Sequence, residues 1–222
     1  DEYLQWGGFY EVFEIEDELV KKEILINYAK NIIYRDIVPR YSIRNSEIIE
    51  RLFFYLLSNA TTILNYTTLA TTFELSDKTI KEYIGYFEEV FLVARLDRFH
   101  TKPKERIKST KKIYIKDNGF LQIVVKHSSN LGMVLENSVF NILCTKTDSL
   151  TYLKETYEVD FYTDGTLYQV SYNIGDEKTK KRELNAFGYF KKSHESCKLI
   201  TYDMNDTIDD VEIISFEGFA LS

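Results

Sequence analysis

Apolar residues recur at spacings of three and four from Leu19 through Leu25, Tyr28, Ala29 and Ile33, which predicts a helix over 17–38 that Pro39 stops. The same periodicity predicts a second helix over 46–59, with Ser46 as its N-cap and Ile49, Leu52, Phe53, Leu56 and Leu57 as its apolar face. A short helix at 67–73 follows, then a turn at Glu74-Leu75. Ser76 next caps a helix reaching Val90, with Ile80, Tyr83, Ile84 and Phe87 turned inward. The pattern then changes: 91–99 and 111–116 read as strands joined by a basic stretch.

The last hundred residues alternate differently. A helix is predicted over 132–145, strands near 150–154, 158–162 and 166–172, a long helix over 177–192, and strands near 198–202 and 211–215. That order suits a sheet flanked by helices. Asp164-Gly165 is a strong two-residue hairpin signal. With those two residues as the turn, Thr163 faces Thr166, Asp160 faces Gln169 and Glu158 faces Ser171. Strand alternation then places Glu158, Asp160, Gln169 and Ser171 on one solvent-facing side, and Val159, Phe161, Tyr168, Val170 and Tyr172 on the core side.

Charge changes the picture locally more than globally. The formal net charge is −7, which argues against a general nucleic-acid coat protein. Yet Arg95–Lys112 holds eight Lys or Arg side chains against Asp97 and Glu105. Helix, helix, then hairpin is the order of a winged helix, and this stretch would be its wing. Two readings stay open: DNA binding, with Arg98, Lys102, Lys104, Arg106 and Lys108 on phosphates, or a protein-contact module. Asp77, Glu82, Glu88 and Glu89 outnumber Lys78 and Lys81 on the outward side of the 76–90 helix. Such a helix repels phosphates, so backbone contact through the wing is favoured over base reading.

Other chemistry is sparse. No apolar run approaches the length of a membrane span, and Asp1-Glu2 opens no secretory leader. Cys144 and Cys197 show no metal-type spacing and fit a cytoplasmic protein. His100, His127 and His194 are scattered, and the acidic residues from Asp203 to Asp210 read as a turn rather than a calcium loop. Trp6 and Phe9 read as packing anchors. None of the nine glycines precedes a lysine, so the chain has no phosphate-binding loop of the Gly-Lys-Ser/Thr type.

Several short motifs carry a resemblance that runs through nearly the whole chain. Glu136 on a helix, Asp160 within Glu158-Val159-Asp160-Phe161, and Gln169-Val170-Ser171 fall in the order of the PD-(D/E)xK nuclease fold. Gly7-Gly8-Phe9-Tyr10-Glu11, Tyr34-Arg35-Asp36-Ile37, Lys112–Gly119, Leu135-Glu136-Asn137 and Arg182-Glu183-Leu184 follow the order of a domain found after the motor module in prokaryotic AAA-type ATPases. The chain thus resembles the C-terminal region of such ATPases. The resemblance implies an α+β chain: a helical lead-in at 1–45, a winged helix at 46–116, and a restriction-endonuclease-like α/β domain at 117–222. It implies Mg²⁺ or Mn²⁺ held by Glu136 and Asp160, with Gln169 as the third catalytic position, and ATP only in an upstream module. The sequence departs from the pattern where it matters: Gln169 stands for an acid and Ser171 for a lysine. The expectation is an accessory region that binds DNA or a protein partner and carries a degenerate site. A metal-dependent DNA endonuclease is the alternative.

Overall fold

The computed structural model describes residues 2–124, 130–192 and 195–222. His127 and His194 lie outside the described residues. The chain is a mixed α+β protein that divides into two compact units, one of residues 1–95 and 112–130, the other of 96–111 and 131–222.

The first unit is helical. Its elements are α1 (Glu2–Trp6), α2 (Tyr10–Phe13), α3 (Glu18–Asn31), a π-helical turn (Ile32–Ile37), α4 (Val38–Arg40), α5 (Ser46–Ser58), α6 (Tyr66–Phe73) and α7 (Asp77–Glu89). The run expected over 17–38 is therefore not uniform. Pro39 has no N–H to give, and Val38 N–H reaches back five residues to the Ile33 carbonyl, widening the last turn. Asp17 caps α3, Asn65 caps α6 and Ser76 caps α7. Asn45, not Ser46, caps α5: its side-chain oxygen accepts from Ile48 N–H. Leu25, Ala29, Ile33 and Ile37, four residues apart, form a fully buried line. Phe53 of α5 meets Phe87 of α7 at 5.4 Å between ring centroids. Trp6 is buried under Lys21, and Phe9 packs on Tyr28 and Phe120.

A hairpin follows, β1 (Val93–Asp97) paired with β2 (Lys111–Ile115). The division between units runs through it, so its tip belongs with the second unit. That tip carries α8 (Pro103–Lys108), a turn of helix that starts on Pro103 where a plain basic loop is expected.

The second unit continues with α9 (Leu131–Lys146), β3 (Thr151–Lys154), β4 (Glu158–Thr163), β5 (Thr166–Val170), α10 (Glu177–Phe190), β6 (Ser196–Thr201), β7 (Asp206–Ile208), β8 (Val211–Ser215) and α11 (Phe216–Leu221). The sheet order is β3-β4-β5-β6-β8-β7, with β5, β6 and β8 mutually parallel and the remaining pairs antiparallel. Asp164 and Gly165 both have positive φ, and Thr163 pairs with Thr166, as a two-residue hairpin turn requires. Helix α10 packs on Val159, Leu167, Leu199 and Ile213 through Ala186 and Phe187. On the other face Phe161 meets Phe140 of α9 and Tyr168 meets Phe219 of α11.

Four expectations need correction. The division 1–45, 46–116 and 117–222 differs from the observed one, because the lead-in helices pack with α5–α7 and the 96–111 segment packs with the sheet. Val159 and Phe161 do not share a face: the β3–β4 register shifts between Thr151↔Tyr162 and Leu153↔Val159, which breaks the strand alternation. The polar positions are not solvent-facing either, since helices cover both sides of the sheet and Asp160 and Gln169 are buried. The acidic 203–210 stretch also contains the edge strand β7, joined to β8 by a turn at Asp209-Asp210.

Candidate functional site

Strands β4 and β5 pair as a ladder only from Thr163↔Thr166 to Phe161↔Tyr168. Beyond that point side chains replace the backbone ladder. The Asp160 N–H donates to Gln169 Oε1 at 3.2 Å, and the Val170 N–H donates to Asp160 Oδ2 at 3.0 Å. Ser171 does not sit opposite Glu158. Its N–H joins the Ile200 carbonyl of β6 and its hydroxyl the Asn173 carbonyl, so the strands splay apart there.

The splay opens a cavity of about 390 Å³. Glu136 from α9, Asp160 from β4 and Gln169 from β5 all line it, so the three positions expected to converge reach one space. Helix α10 adds Arg182, Glu183 and Ala186, and Lys154, Tyr157 and Glu158 complete much of the rim. The notable neighbour is Glu183, with only 2% of its surface exposed. The Gln169 amide nitrogen donates to Glu183 Oε2 at 2.7 Å, and Arg182 donates to Glu183 Oε1. The Arg182 guanidinium is held above its ordinary value, first by that bond to Glu183 and in smaller part by the charge of Asp160. A buried carboxylate so placed needs both donors, since an unmatched buried charge is costly.

These contacts decide what the cavity can hold. Both ends of the Gln169 amide are used, one Asp160 oxygen is taken by Val170, and Arg182 supplies a fixed positive charge beside the acids. Among the described residues, no group of three or more His, Cys, Asp or Glu is placed to hold a metal ion. The Gln169 amide lacks the charge that a hard cation seeks, and Arg182 pairs with Glu183 beside it. Glu183 stands within the Arg182-Glu183 motif, but the nuclease-like pattern gives it no part in the site. The signal was available, because Glu183 falls one helical turn before Ala186 and Phe187 on the face of α10 that packs on the sheet.

The residues expected to meet nucleic acid lie on the hairpin tip, and the structure divides them. Arg106 donates to Asp97 at 3.0 Å, while Lys111 reaches the same carboxylate at 2.7 Å. Lys102 pairs with Glu105 on the surface. Arg98, Lys104 and Lys108 have no ion-pair partner among the described residues, and both lysines are exposed. On α7, Glu88 is engaged by Arg95 through a salt bridge. Asp77, Glu82 and Glu89 remain exposed there.

A curated relative from Methanocaldococcus jannaschii, itself uncharacterized, is 34% identical over 247 aligned positions, covering all of this chain and 55% of that protein. Another uncharacterized protein, from Haemophilus influenzae, is 28% identical over 226 positions, covering 96% of this chain and 55% of that protein. The chain thus spans about half the length of the curated relatives it matches. No solved structure matches. A family model matches residues 1–131, a span that stops where α9 and the sheet-bearing part begin and so leaves the cavity outside it. By that match the chain belongs to the family of the domain of unknown function DUF8612.

Proposed function

We propose that the chain is the accessory C-terminal region of an AAA-type ATPase, a winged helix joined to a nuclease-like domain that binds DNA or a protein partner without cleaving. The single observation that supports the non-cleaving reading is the wedged Gln169. Its amide satisfies Glu183 on one side and the Asp160 backbone on the other, in the place where a nuclease would present an acid. Arg98, Lys104 and Lys108, without ion-pair partners among the described residues, favour DNA over a protein partner, because phosphate contact needs only accessible cations. The motif series from Gly7-Gly8 to Arg182-Glu183 supports the link to an ATPase, and the chain itself carries no phosphate-binding loop to hydrolyse ATP.

The test is binding of a fluorescent duplex and a fluorescent single strand at low ionic strength. Affinity that falls steeply with salt is the expected result; no binding to either removes the DNA half and leaves the protein partner. The endonuclease reading draws on one observation, the convergence of Glu136, Asp160 and Gln169 on a single cavity. It requires Mg²⁺- or Mn²⁺-dependent cleavage of some DNA form that Asp160→Ala abolishes. Supercoiled, branched and single-stranded substrates left intact across a metal titration would eliminate it.

A further inference from the structure

We propose that the sheet edge beside β3 is a groove for one nucleic-acid strand, formed by the basic hairpin tip and leading to the cavity at Asp160. This rests on the nucleic-acid reading above and adds where the strand lies and in what form it binds. The tip is fastened to β3 at two points on one residue. Arg98 bridges to Tyr152 in parallel fashion and the Phe99 N–H donates to the Tyr152 carbonyl at 2.8 Å. At the other end the Thr110 hydroxyl meets the Tyr152 hydroxyl at 2.6 Å. The basic segment is thereby an added layer on the sheet edge rather than a free loop.

Between this layer and the sheet lies a second cavity of about 190 Å³, lined by Arg98, Phe99, Lys154, Tyr162 and Lys192 among others. Lys154 also lines the larger cavity at Asp160, so the two spaces adjoin across one lysine. Arg98 and Lys192 line the first space, and Lys154, ion-paired with Glu158 at 2.8 Å, stands between it and Asp160. Glu155 accepts from the Tyr189 hydroxyl, and Glu195 from the Tyr162 hydroxyl and the Lys192 backbone N–H, which fixes where these two carboxylates sit beside the cations. Phe99 and Tyr162 meet edge to face at 5.2 Å, and both are partly exposed, offering aromatic surface beside the cations. Cations spaced along a groove with aromatic rings between them are what a single strand uses, through phosphates and stacked bases. A space of this size is on the scale of one unstacked base. The exposed Lys104 and Lys108 on α8 extend the positive surface outward.

The experiment measures anisotropy of short labelled strands of DNA and of RNA, and of the DNA duplex, over a range of salt. The proposal expects a strand of either sugar to bind more tightly than the duplex. Arg98→Ala and Lys192→Ala should each weaken strand binding and lower the salt slope by about 0.7 for each phosphate no longer neutralised. Phe99→Ala should weaken it on the order of tenfold while leaving the slope unchanged, the mark of missing stacking. Lys192 is exposed and its side chain makes no bond among the described residues, so its variant reports on charge even where Arg98→Ala disturbs the hairpin tip. Strand binding unchanged in Arg98→Ala, Lys192→Ala and Phe99→Ala, with duplex binding abolished in Lys104→Ala/Lys108→Ala, overturns the groove and leaves nucleic-acid binding standing. No binding to any of the three probes overturns both.

Discussion

At the scale of single residues, the cavity is governed by an amide that cannot be exchanged quietly for an acid. In Gln169→Glu the N–H donor to Glu183 disappears and two carboxylates come to face each other at the present 2.7 Å separation. One of them must hold a proton, so the pair would have a raised apparent pKa in the folded state. The sign follows: stability is kept at low pH, where the proton is shared, and is lost as pH rises through that raised value. The expected cost near neutral pH is about 1–3 kcal/mol. Thermal melts should show a larger deficit at alkaline than at acidic pH, and Mn²⁺ should restore part of it by bridging the two acids. A deficit that does not vary with pH would mean that the amide donor matters only for packing. Gly7 offers a second check, remote from the cavity. Its φ is +74°, and an added Cβ would stand 1.8 Å from the Asp117 Oδ1 that receives the Gly119 N–H. Asp117 also accepts from Gly8, so Gly7→Ala must break a bond network as well as strain the backbone. A loss of about 2 kcal/mol or more in urea unfolding is expected.

At the scale of elements, periodicity located most of what forms and little of what it touches. The helices at α3, α5, α6 and α7 and the Asp164-Gly165 hairpin were legible because apolar spacing and turn chemistry are local signals. The convergence of Glu136, Asp160 and Gln169 on one cavity followed from the hairpin register and the order of motifs. Alternation failed at Asp160, since a register shift against β3 depends on a strand that the β4 sequence does not encode. Burial of that face failed for a similar reason: α10 is amphipathic in its own sequence, but which strand it covers is a tertiary fact. The basic segment was legible as charge and illegible as structure, because Asp97, Arg106 and Lys111 fold it back on itself. That ion cluster has a pH signature. Partial burial would lift the Asp97 carboxyl, but Lys111 and Arg106 more than offset it and hold it below its ordinary 3.8. Its contribution to stability is therefore present above pH 3.8 and fades as pH falls through the lower folded value. Asp97→Asn should cost under about 1 kcal/mol at neutral pH, since the group is partly exposed. The gap from the unaltered chain should close in acid, which urea unfolding across pH measures directly.

At the scale of the whole molecule, the path of the chain makes the obvious dissection the wrong one. A boundary near 117 would release the sheet without residues 96–111, which belong to the same unit. That segment buries Leu96 and covers Tyr152, whose side chain is fully buried at the sheet edge. It also supplies the Phe99 N–H bond and the Thr110 hydroxyl contact. Uncovering a large aromatic side chain costs about 1.5–3 kcal/mol, and each missing hydrogen bond about 1 kcal/mol more. The sum is a large part of the ~5–15 kcal/mol that keeps a domain folded. A fragment of 117–222 should thus lack a cooperative melt or show one far below that of the intact chain. A fragment of 96–222 should recover it, because Arg98–Thr110 can again lie along β3 and close the edge. Circular dichroism melts of the two fragments beside the full chain decide the matter. Equal melting of both fragments would mean that the hairpin tip rests on the sheet without holding it, and the groove between them would then lack the rigid wall on which strand binding depends.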